Sequence, residues 1–205
     1  MLRFPFIRCL LLIGLVSLAP SALAARTILV FGDSLSAGSG IRQDAAWPSL
    51  LAKRLQEKQL DYSVVNASIS GETTSGGRSR LNAALDKHAP SITIIALGSN
   101  DGLRGLPIAT LRENLTAIVA SVQKAKARPL IVGQRLPPNY GPYAVQFYDT
   151  FGDVAKARKA ALVNFLLERV AARPELFQAD NLHPVAEAQP LLLETVWQGL
   201  EPLLK

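Results

Sequence analysis

The chain has 205 residues, of which 49% are hydrophobic and 19% are charged, and its formal net charge is +6. This length suits one compact domain, and the apolar content is too high for an intrinsically disordered protein. The basic side chains are spread along the sequence without a dense run, so no nucleic-acid partner is expected.

The first 24 residues have the pattern of a secretory signal peptide. Arg3 and Arg8 precede an apolar run at positions 9–18, and the sequence Ala-Leu-Ala follows at positions 22–24. The apolar run is too short for a permanent membrane anchor. We therefore expect cleavage after Ala24, export to the periplasm or to the exterior, and no stable membrane anchor after cleavage.

Removing 24 of the 205 residues leaves 181, with 20 basic and 16 acidic side chains and a formal charge of +4. The only cysteine, Cys9, is lost with this segment. Disulfides, thiolate metal sites and a cysteine nucleophile are therefore excluded for the mature chain. No linker or internal repeat divides residues 25–205, which predicts a single domain.

Short apolar runs alternate along the mature chain with longer segments of helical period. The predicted strands, rich in Val, Ile and Leu, are residues 27–31, 62–65, 92–97, 129–132 and 161–166. The predicted helices are residues 47–58, 79–88, 108–126, 145–159 and 186–200. Continuous apolar strands are typical of a sheet covered on both faces. The alternation therefore predicts an α/β protein, a three-layer α/β/α sandwich around a five-stranded parallel sheet.

The first predicted strand leads into the sequence Gly-Asp-Ser-Leu-Ser-Ala-Gly at positions 32–38. Gly32 permits a tight turn, which would place Ser34 at the carboxyl edge of the sheet, where ligands gather. A serine at such a position is either a nucleophile or only the cap of the next helix. This segment alone leaves both interpretations open.

The loops after the second and third strands hold hydrogen-bond donors. Gly71 offers an unobstructed backbone N–H, and Asn100 offers a side-chain NH2 group. Donors of these types can hold an oxyanion. Either loop taken by itself fits an ordinary turn rich in Gly, Asn and Asp better than it fits an oxyanion-binding loop.

Only two histidines, His88 and His183, are available as a general base near neutral pH. His88 ends a predicted helix, where a polar or cationic side chain is ordinary, so we expect a structural role for it. His183 lies in the loop before the last helix, and Pro184 favours an extended or turn conformation there. Asp180, three residues earlier, can reach Nδ1 across a turn and leave Nε2 to face Ser34. The loops therefore predict a nucleophile and an acid–base pair at one edge of the sheet.

Together these residues resemble the SGNH (GDSL) hydrolase family, in particular its secreted thioesterase I, lysophospholipase L1 and arylesterase group. The resemblance is carried in order by the blocks at positions 32–38, 64–71, 100–105 and 136–141. It implies a flavodoxin-like sheet and a catalytic triad of Ser34, Asp180 and His183. It also implies an oxyanion hole built from the backbone N–H groups of Ser34 and Gly71 and the side chain of Asn100.

The same resemblance implies hydrolysis of esters and thioesters through an acyl-serine, with aryl esters, short to medium acyl esters, acyl-thioesters and lysophospholipids as substrates. No cofactor and no metal are expected, and we expect a monomer. Two positions depart from the group's usual sequence: Ser99 and Asn181 each replace a glycine. Ser99 is expected to stiffen or re-aim the loop that carries Asn100, and Asn181 to alter the turn before His183.

Two further segments, 102–107 and 136–143, follow the third and fourth strands and combine apolar residues with Gly and Pro. Composition alone fits either the wall of an acyl pocket or ordinary surface loops. The resemblance favours the pocket, and the candidate substrate-binding residues are Leu106, Leu136, Pro137 and Tyr140.

Three other classes fit the residues less well. An α/β-hydrolase would have a G-x-S-x-G elbow, which is absent around Ser34. The glycines after the first strand match neither the dinucleotide-binding spacing nor a phosphate-binding loop with its lysine. A two-metal phosphoesterase would have to use Asp33, Asn100, Asp180 and His183, which are too few ligands.

Overall fold

The computed structural model describes residues 25–204 and contains one five-stranded parallel sheet. The expected signal segment, residues 1–24, lies outside the described residues. The strands are β1 (Arg26–Gly32), β2 (Tyr62–Asn66), β3 (Ile92–Ala96), β4 (Arg128–Val132) and β5 (Ala161–Val163), in the spatial order β2-β1-β3-β4-β5. All neighbouring strands pair in parallel. This is the flavodoxin-like order, so the predicted fold class is confirmed.

Seven α-helices connect the strands within the described part of the chain. They are α1 (Ser34–Ala37), α2 (Trp47–Glu57), α3 (Thr74–His88), α4 (Ser99–Leu103), α5 (Ile108–Lys124), α6 (Pro142–Arg158) and α7 (Gln189–Leu200). None of the helices between residues 25 and 204 is both long enough and apolar enough to cross a membrane.

Alternate strand residues supply two separate hydrophobic cores, one on each face of the sheet. On β1, Ile28 and Val30 pack with residues of α2 and α7, whereas Leu29 and Phe31 pack with residues of α3, α5 and α6. Every residue of β3 is buried. Burial on both faces explains why the strands are continuous apolar runs, and it fixes the register of the sheet.

Two predicted boundaries were wrong for identifiable reasons. The fifth strand ends at Val163 rather than at residue 166, because the chain bends at Asn164 and then forms turns, in which the Glu168 and Val170 N–H groups donate to the Phe165 and Leu167 carbonyls. Helix α3 begins at Thr74 rather than at residue 79. A Cβ at Gly77 would come within 2.4 Å of the Leu97 side chain, so glycine lets α3 lie close to the sheet. Because glycine is a poor helix former, its presence hides the helical pattern in the sequence.

The strand order places a crevice at the carboxyl edge of β1. The chain moves to one side of β1 to form β2 and to the other side to form β3, so the connections after β1 and β3 diverge. The loop after β2 is fastened to this edge by a 3.0 Å hydrogen bond from the Ile69 N–H to the Gly32 carbonyl. His88, by contrast, ends α3 near the start of β3, at the opposite edge of the sheet.

Candidate active site

The turn after β1 presents Ser34. Gly32 is the last strand residue, Asp33 caps α1 by accepting a 3.1 Å hydrogen bond from the Leu35 N–H, and Ser34 is the first residue of α1. A Cβ at position 32 would lie 2.9 Å from the Ala96 carbonyl oxygen of the neighbouring strand, so only glycine allows this close turn. The Ser34 side chain is thereby held, half-buried, at the carboxyl edge of the sheet.

Ser34, His183 and Asp180 form a continuous hydrogen-bonded chain. The distance from His183 Nε2 to Ser34 Oγ is 2.9 Å, and the distance from His183 Nδ1 to Asp180 Oδ2 is 2.6 Å. An ionised carboxylate can only accept, so Nδ1 carries the proton towards Asp180 and Nε2 is left to accept the Ser34 hydroxyl proton. The arrangement is that of a serine nucleophile beside a general base whose tautomer is fixed by an acid.

The other Asp180 oxygen organises the turn itself. Oδ1 accepts hydrogen bonds of 2.9 Å and 3.0 Å from the backbone N–H groups of Leu182 and His183. These bonds and the one from the His183 ring lower the pKa of the Asp180 carboxyl below its usual range, so it remains ionised. Asn181 has a φ of +55°, in the left-handed region that asparagine tolerates better than most residues. The turn therefore retains a geometry that glycine also adopts.

Gln178 ties this turn to the serine loop. Its backbone N–H donates to the His183 carbonyl at 2.8 Å, and its side-chain Nε2 donates to the Ser39 carbonyl at 2.9 Å, just beyond α1. Phe177 and Pro184 form an isolated antiparallel bridge on either side of the turn. The sequence contained no signal for this role of Gln178, because the contacts join segments that are far apart in the chain.

Two of the three expected oxyanion donors, Gly71 and Asn100, come from neighbouring segments of the structure. Asn100, in α4, donates from Nδ2 to the Glu72 carbonyl at 3.0 Å, next to Gly71. Because the amide carries two N–H groups, one remains for a ligand. Gly71 has a φ of +78°, which a non-glycine residue would adopt only with strain. The Arg104 guanidinium donates to the Gly71 carbonyl at 3.2 Å and so helps to fix this peptide.

A buried carboxylate anchors the helix that carries Asn100. Asp101, only 1% exposed, accepts hydrogen bonds from the Thr74 N–H, at 2.8 Å, and from the Thr74 hydroxyl. Asn114 of α5 donates in turn to the Thr74 hydroxyl oxygen at 3.2 Å. Three helices are thus joined at one buried polar cluster, which limits the movement of Asn100.

Asp33 is fully buried next to Ser34. Burial raises the pKa of its carboxyl to about 6, although the hydrogen bond from the Leu35 N–H, the adjacent Ser99 hydroxyl and the nearby His183 oppose the rise. The departure from glycine at position 99 therefore supplies a hydroxyl beside this carboxyl. Within the described part of the chain, neither Asp33 Oδ2 nor Ser99 Oγ has a well-formed hydrogen bond.

Replacing Asp33 by asparagine should therefore change the pH dependence of stability. The folded protein holds the Asp33 proton up to about pH 6 and the unfolded chain up to about pH 4, so wild-type stability falls across this window by up to about 3 kcal/mol. The asparagine side chain can still cap α1 but does not ionise. In urea unfolding, the free energy of unfolding of Asp33→Asn minus that of wild type should increase as the pH rises from about 4 to about 6, and it should stay constant above that.

Asp61→Asn is the matched control, because Asp61 is an exposed aspartate at the other edge of the sheet. Its stability relative to wild type should show no such rise. A difference between Asp33→Asn and wild type that is independent of pH would contradict the assigned burial of the charge.

An apolar cavity of about 370 Å³ lies beside the hydrogen-bonded chain of Ser34, His183 and Asp180. Three of its lining residues, Leu35, Ser99 and Leu182, are the sequence neighbours of Ser34, Asn100 and His183. The rest are Leu103, Gln134, Arg135, Leu136, Pro137, Pro138, Phe147, Phe165, Leu167, Ala171, Phe177 and Asn181. A cavity of this size and composition is typical of a small-molecule site.

Two of the four candidate substrate-binding residues, Leu136 and Pro137, line this cavity, whereas Leu106 and Tyr140 are not among its lining residues. The latter two lie where its loops are joined: the Tyr143 hydroxyl donates to the Leu106 carbonyl at 2.7 Å, and the Tyr140 hydroxyl approaches the Leu103 carbonyl at 3.5 Å. The predicted wall segments also contain the lining residues Leu103 and Pro138, whereas sequence reasoning missed the others, because they come from separate loops and helices that only the fold brings together.

No group of three or more His, Cys, Asp or Glu side chains within residues 25–204 is arranged to hold a metal ion.

Three relatives match almost the whole chain. "Esterase TesA" of Pseudomonas aeruginosa is 47% identical over 200 residues, which are 96% of this chain and 100% of that protein. "Arylesterase" of Vibrio mimicus is 42% identical over 95% of this chain and 98% of its own. "Thioesterase 1/protease 1/lysophospholipase L1" of Escherichia coli is 42% identical over 93% of this chain and 90% of its own.

The fold matches a solved structure equally well. A crystal structure of TesA superposes with a TM-score of 0.86 at 48% identity, covering 87% of this chain and 100% of that one. Residues 30–189 match the family described as the GDSL-like lipase/acylhydrolase family, a range that contains every residue of the hydrogen-bonded chain above. This protein is therefore a hydrolase and belongs to the GDSL-like lipase/acylhydrolase family.

Proposed function

We propose that this enzyme hydrolyses carboxylic esters and thioesters through an acyl intermediate on Ser34. The observation that carries the proposal is the contact of 2.9 Å between Ser34 Oγ and His183 Nε2, backed by the 2.6 Å contact between His183 Nδ1 and Asp180. These hydrogen bonds give Ser34 a base, His183, within reach of its hydroxyl, and they fix the tautomer of that base.

In the first half of the reaction, His183 Nε2 takes the Ser34 hydroxyl proton as Oγ bonds to the acyl carbon. The carbonyl oxygen becomes an oxyanion, which the backbone N–H groups of Ser34 and Gly71 and the free N–H of Asn100 hold. When the carbonyl re-forms, the bond to the alcohol or thiol breaks, and His183 donates its proton to that leaving group. Asp180 stabilises the imidazolium in between.

In the second half, water replaces the alcohol or thiol. His183 removes a proton from the water as its oxygen bonds to the acyl carbon, and the second oxyanion occupies the same donors. The bond to Ser34 Oγ then breaks and the serine regains its proton from His183. The carboxylic acid is released and the enzyme returns to its starting state.

The acyl chain of the substrate fits the apolar cavity beside the triad. An acyl group on Ser34 Oγ would pass Leu35, Ser99 and Leu182, and Leu136 and Pro137 line the space beyond. Leu106 and Tyr140 would act behind this wall by joining the loops that form it. We assign aryl esters, short to medium acyl esters, acyl-thioesters and lysophospholipids as the substrate range, in keeping with the names of the relatives.

A serine-directed fluorophosphonate probe tests the reaction type. The probe should form a covalent adduct on Ser34 of the wild-type enzyme and abolish ester turnover in proportion to labelling. A metal chelator should leave turnover unchanged. An adduct at another residue, or turnover that persists after complete labelling, would contradict the assignment of Ser34 as the nucleophile.

We further propose that the enzyme acts outside the cytoplasm, in the periplasm or beyond it, and that the mature chain begins at Ala25. The support is the basic start, short apolar run and Ala-Leu-Ala sequence of the first 24 residues. Amino-terminal sequencing of the exported protein tests this. A chain that retains Arg3 would show that the segment is not removed.

A further inference from the structure

Ser39 contacts all three of the loops that form the candidate active site. It lies in the serine loop just after α1, and its N–H donates to the Ser34 carbonyl at 3.3 Å. Its carbonyl accepts the 2.9 Å hydrogen bond from Gln178, which holds the acid–base turn. Its hydroxyl forms a hydrogen bond of 2.5 Å with the Ser70 hydroxyl, in the loop after β2. Of these contacts, only the last depends on the side chain of residue 39.

Ser70 belongs to a turn whose ends are fastened and whose middle is not. The turn is closed by a 3.2 Å hydrogen bond from the Glu72 N–H to the Ile69 carbonyl, and Asn100 donates to the Glu72 carbonyl. Between these ends lies the peptide that joins Ser70 to Gly71. Within the described part of the chain, neither the carbonyl nor the N–H of this peptide has a hydrogen-bond partner. The contact of the Ser70 hydroxyl with the serine loop therefore supports the middle of the turn.

The unsupported peptide carries one of the expected oxyanion donors, the Gly71 N–H. Another donor, the Ser34 N–H, belongs to the serine loop, so the spacing of the two donors depends on how the two loops are joined. The hydroxyl bond joins them next to both donors. Ser39, at one end of it, is hydrogen-bonded to Ser34. Ser70, at the other end, directly precedes Gly71. Oxyanion donors act only at hydrogen-bond distance, and a displacement of about 1 Å can lower a rate by about a hundredfold.

We propose that Ser39 is a positioning residue for the oxyanion hole. Its hydroxyl, through Ser70, holds the Gly71 N–H at the spacing from the Ser34 N–H that the oxyanion requires. The inference rests on the proposed function, because it takes the reaction to pass through an oxyanion held by these donors. Ser39 acts through Ser70 and takes no part in the bonds that form and break.

Three substitutions separate this role from a general loss of structure. Ser39→Ala removes the hydroxyl but keeps the backbone contacts of residue 39. Ser39→Thr keeps a hydroxyl at the same position, and Ser70→Ala removes the other partner of the bond. The matched control is Ser79→Ala, which removes an exposed serine hydroxyl on α3 that donates to the Ser75 carbonyl at 3.0 Å.

With p-nitrophenyl butyrate as substrate, Ser39→Ala and Ser70→Ala should each lower kcat by about threefold to tenfold, the population shift that one hydrogen bond can cause, while KM changes little. The loss should be partial because Arg104 still donates to the Gly71 carbonyl in both variants. The double variant should lose no more than either single variant, since both remove the same bond. Ser39→Thr should regain most of the wild-type kcat, and Ser79→Ala should keep it.

Inhibition by an alkyl trifluoromethyl ketone reports on the oxyanion hole itself. The ketone binds as a hemiketal anion on Ser34 whose oxygen occupies the donors, so its Ki should rise in Ser39→Ala by the factor by which kcat/KM falls. The pH midpoint of kcat/KM and the unfolding midpoint in urea should stay close to the wild-type values, because the substitution alters neither the acid–base turn nor the hydrophobic cores.

A kcat within about twofold of wild type in Ser39→Ala would overturn the proposal. So would a ketone Ki that stays constant while kcat falls, a shifted pH midpoint, or additive losses in the double variant. If Ser39→Ala and Ser70→Ala lose activity only through unfolding, the bond supports the structure alone, and the proposal is also overturned. Failure of the proposed function has a different signature: Ser34→Ala would retain wild-type turnover, or the ketone would not inhibit the wild-type enzyme.

Discussion

Replacing Ser34 by alanine should lower kcat for ester hydrolysis by about a millionfold. The substitution removes the oxygen that would bond to the acyl carbon, and His183 cannot replace it because its Nε2 is positioned to accept a proton from that oxygen. The backbone N–H at position 34 is retained, so the variant keeps its oxyanion donors and some rate enhancement over water. Single-turnover and steady-state kinetics with an aryl ester measure the loss.

Ser36→Ala is the matched control for this change. Ser36 is a buried serine two residues away, on the same short helix, and its hydroxyl has no hydrogen-bond partner among residues 25–204. Losing that hydroxyl should leave both kcat and the unfolding temperature near the wild-type values. If Ser36→Ala lost activity as severely as Ser34→Ala, the effect would belong to the packing of α1 and not to a nucleophile.

Replacing Asn100 by alanine should lower kcat by about a hundredfold to a thousandfold while KM changes little. The expected cause is the loss of a donor that is used only when the carbonyl oxygen becomes negative. The same change also removes the 3.0 Å bond to the Glu72 carbonyl, so a modest loss of stability, about 1 kcal/mol, should accompany it. Steady-state kinetics and urea unfolding on the same preparation separate the two effects.

Asn82→Ala serves as the control, because Asn82 is an exposed asparagine on α3. It should keep wild-type kcat. An Asn100→Ala enzyme whose kcat stays within about tenfold of wild type would show that the side chain is not an oxyanion donor. In that case the Ser34 and Gly71 N–H groups would have to hold the oxyanion alone.

The sequence predicted the sheet well because the central strands β1, β3 and β4 are buried on both faces and therefore carry continuous apolar runs. It did not predict α1 and α4, since helices of four and five residues are too short to show a period. It also started α3 too late, because Gly76 and Gly77 interrupt the apolar pattern where the helix must lie close to the sheet.

The hydrogen-bonded chain of Ser34, His183 and Asp180 could be predicted because histidine is scarce and because Asp180 lies three residues before His183. Only two histidines exist, and only His183 has a carboxylate three residues before it in a loop at the correct edge. The cavity could not be predicted in this way, because Leu35, Phe165 and Leu182 lie far apart in the sequence and no local pattern marks them as neighbours. Nothing in the sequence distinguishes the buried Gln134 from an ordinary surface glutamine.

The turn that holds Asp180 and His183 is held together by its own hydrogen bonds. Three hydrogen bonds, from the backbone N–H groups of Leu182 and His183 and from the imidazole, converge on the Asp180 carboxylate. Its attachment to the serine loop depends on Gln178 instead. A displacement of this turn would therefore lengthen the distance between His183 Nε2 and Ser34 Oγ while the contact between His183 Nδ1 and Asp180 is retained, so the first contact can be lost without the second.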